Sequence, residues 1–354
     1  MNSFGDRIRF TVFGTSHGVA VGCTLDGLPA GFKPDLDAVR FELSRRSPRA
    51  SSESTSRQED DEFEILSGLF NGCTDGAPVC AVFKNKNADP ADYKTRAVRP
   101  SHADYAAYVK YSGCNDPRGG GMFSGRMTAP IVFAGALIKQ LLSCEGISIR
   151  SHIANIGGII DDPFVPTCCS VPELDPFFPL VNSGKKPLFE ALFDEVRSCG
   201  DSIGGTVECL ISGVPAGVGE PFFDSIESVL SHILFSIPGV HGVEFGAGFS
   251  LASMRGSEAN DAILAGGKTS TNNSGGINGG ISNGMPIIFR CVFRPVPSIA
   301  AEQDSIDIET GKAVKVRLSG RHDACILPRG CAVIEAAAAI AVYDLFTRGG
   351  NAHE

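Results

Sequence analysis

Two well-separated segments, residues 129–142 and 331–346, are apolar almost all the way round a helical projection. The first carries Ile131, Val132, Phe133, Ala136, Leu137 and Leu141; the second carries Val333, Ala336 to Ala339, Ile340 and Val342. A helix at a protein surface keeps a polar stripe, so helices built from these runs must be covered on several sides. Charges interrupt both, at Lys139 and Glu335, and each falls short of the ~20 apolar residues of a membrane span. They are expected to be interior helices, with no transmembrane segment in the chain.

The remaining pattern supplies the cover. Arg7 to Phe13 alternates, with Ile8, Phe10 and Val12 on one face, and predicts a half-buried strand; Val19 to Leu25 predicts a second. Further strand-like runs lie near 63–70, 77–84, 203–212, 286–293 and 313–318. Pro34-Asp35-Leu36 opens a helix to about Arg46, with Leu36, Val39 and Leu43 at helical spacing, and the spacing recurs at 222–235. Residues 159–187 are Pro-rich and irregular, an excursion from the main pattern. Buried helices with half-buried strands predict an α+β chain, a helical layer covered by sheet. No linker or repeat divides it, so 1–354 reads as a single domain.

Composition narrows the ligand. Basic side chains number 31 and acidic ones 40, a formal net charge of −9, which argues against nucleic acid or an anionic membrane as partner. An anionic small molecule would need a local basic cluster. Met1 to Arg7 lacks the blocks of a signal peptide. The 12 cysteines contain no C-x-x-C pair, so we expect no metal site and reduced, mostly core-filling thiols in a cytoplasmic protein. Gly contributes 42 of 354 residues, well above the usual ~7%, as tight turns or backbone approaching a ligand require.

Several motifs compete for the chemistry. Gly14-Thr15-Ser16-His17-Gly18 matches the G-x-S-x-G elbow of serine hydrolases, but only one strand precedes it and another strand follows, so Ser16 is a poor nucleophile candidate. His17 in a turn at a strand end is the more informative residue, although a turn histidine bonded to backbone looks the same. Ala262 to Thr269 fits a loosened P-loop without the flanking strand and helix, and reads as a surface loop. Arg45, Arg46, Arg49 and Arg57 form a basic cluster; Arg99-Pro100-Ser101-His102 and Arg321-His322-Asp323 are two further places where cations gather. Each alone fits a solvated surface. Three together suit a doubly anionic phosphate, because guanidinium grips phosphate and carboxylate bidentately. The Gly119–Gly121, Gly275–Gly276 and Gly279–Gly280 stretches expose backbone N–H groups, as phosphate loops and plain turns both do.

Taken in order, GTSHG (14–18), Arg45-Arg46, RPSHAD (99–104), RGGGMFSGR (118–126), SGVPAGVGEPFFDSIE (212–227), SIPGVHGVEFGAGF (236–249), NNSGGINGGISNGMPIIFR (272–290) and GRHDACILPR (320–329) resemble chorismate synthase over nearly the whole chain. The resemblance implies a β-α-β sandwich with helices between antiparallel sheets, a homotetramer, and conversion of 5-enolpyruvylshikimate 3-phosphate to chorismate. It implies reduced FMN as cofactor, with NADPH involved only indirectly, in reducing the flavin. By the same resemblance His17 sits by the flavin, His102 lies near the departing phosphate, and Asp323 helps the flavin accept the hydrogen from C6. Arg46, Arg99, Arg126 and Arg321, with Ser124 and Arg49, would hold the substrate. Met122, Phe123, Ser124, Pro238, Gly239, Gly279, Arg294, Pro295, Val296, Pro297, Ser298 and Arg321 would contact the cofactor. The chain departs from the family pattern at Thr15 (usually Glu), Ser101 (usually Gly), Met122-Phe123 (often Arg-Ser), in Gly125-Arg126-Met127-Thr128 (usually A-R-E-T), and beyond the double arginine, where Ser52 stands near the place of an Arg.

Overall fold

In the computed structural model, residues 1–48, 61–86, 97–318 and 323–349 are described. The predicted alternation builds a first five-stranded antiparallel sheet from β1 (Ser3–Phe4), β2 (Arg9–Gly14), β3 (Ala20–Asp26), β4 (Glu64–Ser67) and, after a small hairpin of β5 (Leu69–Phe70) and β6 (Cys73–Thr74), β7 (Val79–Lys84). Its order is β1-β2-β3-β7-β4. Val21, Cys23 and Leu25 pair with Phe83, Ala81 and Val79, and all six are buried. One face of this sheet is therefore core.

A second five-stranded antiparallel sheet contains β8 (Ser148–Ile156), β9 (Ile159–Ile160), β10 (Gly205–Ser212) and β11 (Val240–Phe245). The short β12–β13 hairpin (Ile277–Asn278, Ile281–Ser282) leads to its last member, β14 (Ile287–Phe293), and the order is β11-β14-β10-β8-β9. A two-stranded ribbon, β15 (Gln303–Ile306) with β16 (Ala313–Val316), follows.

The helices are α1 (Leu36–Arg46), α2 (Asp104–Lys110), α3 (Thr128–Cys144), α4 (Lys186–Ser198), α5 (Ile226–Leu234), the single turn α6 (Gly256–Ala259) and α7 (Leu327–Arg348). α3 lies on β3 and β7, α7 lies on β8 and β10, and the two pack on each other, so helices fill the space between the sheets. Their backbones meet where a Cβ at Gly135 would collide with Ala336. The helical layer covered by sheet, expected from the apolar runs and alternating strands, and the β-α-β sandwich that the resemblance implies are the observed architecture. The helical spans are longer than those runs. Gly125–Cys144 and Leu327–Arg348 are long and apolar enough to cross a membrane by composition, but both are largely buried within the fold.

Two carboxylates on α7 anchor other elements. Glu335, fully buried, accepts from Arg45 of α1 at 2.7 and 3.0 Å, from Lys139 of α3 at 2.8 Å, and from the backbone and hydroxyl of Ser151 on β8. Asp344 accepts the backbone N–H groups of Asp6, Arg7 and Ile8 at 2.9, 2.7 and 3.0 Å. Alternation did not reveal β8, because buried Ser151 and His152 interrupt it; His152 faces Asp161 at 3.3 Å and Glu208 at 3.2 Å. The periodicity also missed α2, α4 and β11. Five cysteines (Cys23, Cys209, Cys291, Cys325, Cys331) are buried and the other seven are partly or well exposed, so the expectation that most fill the core is corrected.

Candidate active site

His17 sits in the turn joining β2 to β3, which the Gly14–Val21 pair closes and in which the Gly18 N–H donates to the Thr15 carbonyl at 3.1 Å. The turn connects two paired strands rather than a strand and a helix, so buried Ser16 has no elbow scaffold. Ala262 to Thr269 is likewise an Ile263–Thr269 bridge around a tight loop, with no helix opening from it.

Opposite the His17 turn runs the Gly-rich stretch, and the Ser16 N–H donates to the Gly121 carbonyl at 3.1 Å. Gly119 and Gly120 have φ of 58° and 84°, the left-handed region that glycine adopts freely. Close approach requires glycine as well. A Cβ at Gly119 would overlap the His17 imidazole; one at Gly120 would stand 3.2 Å from Cε1 and Nε2 of His102 and 3.6 Å from an Arg99 terminal nitrogen. Consecutive residues, their Cα atoms about 3.8 Å apart, thus touch both nominated histidines.

His102 precedes α2. Asp104 accepts from the Arg99 backbone N–H at 3.1 Å, from its Nε at 2.8 Å and a terminal nitrogen at 2.6 Å, and lies 2.7 Å from His102 Nδ1. Burial alone would raise the Asp104 pKa; hydrogen bonds from Arg99 and His102 outweigh it and hold the carboxyl well below its ordinary range. With Nδ1 on the carboxylate, Nε2 is left on the Gly120 side.

Arg46 ends α1 and Arg126 precedes α3, and Asp61 joins them. Arg46 donates to the Asp61 carboxylate at 2.7 and 2.9 Å and Arg126 forms a short ion pair with it. Side-chain exposures of 7, 6 and 2% for Arg46, Arg126 and Asp61 make this a buried charge cluster. Burial would raise the Asp61 pKa, but the two guanidinium charges and the Ser47 hydroxyl lower it. Asn85 links the cluster to the His17 turn, accepting from Arg126 Nε at 3.2 Å and donating to the Thr15 and Gly18 carbonyls at 3.0 and 2.9 Å. Ser124 accepts the Arg126 N–H at 3.2 Å, and Met122 and Phe123 form a partly exposed apolar edge. Among the described residues, the ion pairs set three guanidiniums (Arg46, Arg99, Arg126) against two carboxylates (Asp61, Asp104), before either imidazole is counted.

A second group adjoins the first. Arg294 donates from its side chain to the Ser101 carbonyl at 2.6 Å and from its backbone to the Gly239 carbonyl at 2.9 Å. Pro238 and Gly239 precede β11; Pro295, Val296, Pro297 and Ser298 follow β14, with the Val296 carbonyl accepting from Ser202 at 2.7 Å. Asp323 pairs with Arg329 at the start of α7, and Ile326 lies against Gly239. Gly279 lies at the exposed tip of the β12–β13 hairpin, whose Gly280 packs on Glu220 and Ser225. Arg49, Ser52, Arg57 and Arg321 fall outside the described residues.

The order of these elements matches known proteins. A family profile described as chorismate synthase matches residues 8–347. The chain belongs to the chorismate synthase family. A chorismate synthase from Dehalococcoides mccartyi is 44% identical over 99% of this chain and 97% of its own length. One from Thermococcus gammatolerans is 44% identical over 97% of each chain. A solved structure described as a crystal structure of chorismate synthase superposes with a TM-score of 0.75 at 28% identity, covering 98% of this chain and 93% of the other.

Two family departures have a structural reading. Thr15 Oγ1 donates to Asp116 Oδ2 at 3.3 Å, so a carboxylate still reaches the turn where the family usually has Glu. Ser101, where the family usually has Gly, is held at φ 59°. Asp61, Asn85 and Asp104 were not nominated from sequence. Asp104 had a signal, an acid two residues beyond His102. Asp61 lies in the acidic run Glu59 to Glu62, where nothing in the sequence marks it as a carboxylate that becomes buried.

Proposed function

We propose that this protein is a lyase that converts 5-enolpyruvylshikimate 3-phosphate to chorismate and phosphate, with reduced FMN as cofactor. One observation carries the reading: a single Gly-rich loop seats His17 and His102 on adjacent residues, beside cations held by the carboxylates of Asp61 and Asp104. A 1,4-elimination must lose phosphate from C3 and a weakly acidic hydrogen from C6, which no side-chain base matched to neutral pH removes unaided. Reduced FMN, when bound, supplies an electron transiently and recovers it, leaving no net redox change.

The residues fit such a group. Glycines at 119–121 remove side chains from the floor, Met122 and Phe123 offer an apolar edge for a flat ring, and Arg294 and Gly239 stand next to the His102 turn. Pro238, Gly239, Arg294 and Pro295 to Ser298 would hold it. Arg99, held on Asp104, and Arg46 and Arg126, held on Asp61, would attract phosphate and carboxylate groups by their charge and their remaining N–H groups. His102, its Nδ1 fixed on Asp104, presents Nε2 to the leaving phosphate; His17 holds a proton beside the cofactor; Asp323 takes part in moving the C6 proton. We extend the proposal to a cytoplasmic homotetramer whose flavin is reduced at the expense of NADPH.

The test is anaerobic. Protein, dithionite-reduced FMN and the enolpyruvyl substrate should give chorismate absorbance. Flavin binding without turnover would make the protein a non-catalytic binding relative, and labelling of Ser16 by a fluorophosphonate would make it a hydrolase.

A further inference from the structure

We propose that Asn85 is a positioning residue for His17, fixing the turn that carries the imidazole and tying it to Arg126. The inference rests on the site assignment above. The β3–β7 ladder ends at the Ala20–Lys84 pair, and one more backbone bond, Asn85 N–H to the Val19 carbonyl at 3.2 Å, completes it. Beyond that point β3 turns back through Gly18 to Thr15, and backbone pairing with β7 cannot follow. The Asn85 side chain takes over. Its Nδ2 donates one N–H to the Thr15 carbonyl and the other to the Gly18 carbonyl, the residues that bracket Ser16 and His17.

The amide has only one workable orientation. A flip would set its carbonyl oxygen against two backbone carbonyls and its NH₂ against the Nε–H of Arg126, so every contact would be lost. A carboxylate cannot replace it, having no N–H, and a hydroxyl has a single donor. From the other side the Gly121 carbonyl holds the Ser16 N–H, so the turn is tethered at both flanks. Asn85 is half-buried at a strand end, not in the core. Its truncation removes hydrogen bonds and leaves no apolar cavity, which confines the effect to the site.

Two substitutions separate service to His17 from service to Arg126. Asn85→Asp keeps an acceptor for Arg126 and loses both donors to the turn; Asn85→Ala loses everything. Steady-state rates with reduced FMN and the enolpyruvyl substrate should fall about tenfold in kcat for both, with KM changed less than about threefold. In a His17→Ala background the Asn85→Ala change should cost less than about twofold, since coupled residues are non-additive. Wild-type kcat in Asn85→Asp, or losses that multiply in the double variant, would overturn the proposal.

A cofactor-free readout stands beside this. In full-length protein labelled with ¹³C-histidine, the His17 signal, identified by its loss in His17→Ala, should shift in Asn85→Asp while the His102 signal stays. An unmoved His17 signal refutes the positioning role whatever the rates. Should either variant unfold, Asn85→Ser, with one donor in place of two, answers the same question by the same signal. Absence of chorismate formation by the wild type would sink the functional reading, whereas the spectrum would still decide the Asn85–His17 link.

Discussion

Replacing Asp61 by Asn removes a carboxylate that pairs with two buried guanidiniums. The shape is nearly unchanged, but the new NH₂ group points a donor at Arg46 or Arg126, and both are almost wholly buried. Breaking a buried ion pair from one side costs about 3–5 kcal/mol, because the remaining charge cannot return to water. Arg46 keeps weak contacts to Thr128 and the Gly125 carbonyl at 3.3 and 3.4 Å, and Arg126 keeps Asn85. Those residual acceptors place the expected loss at about 3–4 kcal/mol near neutral pH. The pH dependence has a fixed sign. Asp61 titrates lower in the fold than in the unfolded chain, so its contribution is complete above the ordinary carboxylate range and is lost only as pH falls through the depressed folded value. The gap between wild type and Asp61→Asn should therefore stay level on acidification until below about pH 4, then narrow. The chain has no tryptophan, so urea titrations followed by far-ultraviolet circular dichroism are the assay. A gap under about 1 kcal/mol, or one that widens on acidification, would show that the arginines do not depend on this charge.

Ser101→Gly should raise stability by about 0.5–1 kcal/mol, the left-handed strain at φ 59° outweighing the greater freedom of glycine in the unfolded chain; a lower urea midpoint would refute it. Gly119→Ala should lower turnover more than Gly120→Ala, because its methyl would overlap His17 while the other meets His102 at 3.2 Å. The reverse order would contradict the loop geometry. His17→Ala and His102→Ala should each cut turnover at least about tenfold, the floor for general acid–base contributions, and near-wild-type rates in both would discredit the assignment of the site.

The architecture was legible where burial is one-sided or total. Alternation in β2, β3 and β7 and the all-round apolar character of α3 and α7 led to a helical layer under sheet, because these elements face a single environment along their whole length. β8 was hidden by Ser151 and His152, whose burial is matched by Glu335 and Glu208 from distant segments and by Asp161 from just beyond the β8–β9 hairpin. α4 was hidden in the tail of a Pro-rich stretch. In the site, local strings carried His17, His102 and Arg99, whereas the partners that set their geometry arrive through long-range contacts. Asp61 and Asn85 lie far from Arg126 in sequence, and no periodicity connects them.

α7 touches both halves of the molecule, yet it is translated after 326 other residues. At about 5–20 residues per second, roughly a quarter-minute to a minute passes between the emergence of β2 and that of the helix holding the adjacent Ile8 amide through Asp344. Until then α3 can already cover β3 and β7, but the inner face of the second sheet at β8 and β10 lacks the helix that lines it and presents apolar surface to solvent. Synthesis of this chain should therefore lean on chaperones that shield nascent strands, and clipping inside the final helix should scatter the early ones into aggregates rather than leave a folded remnant.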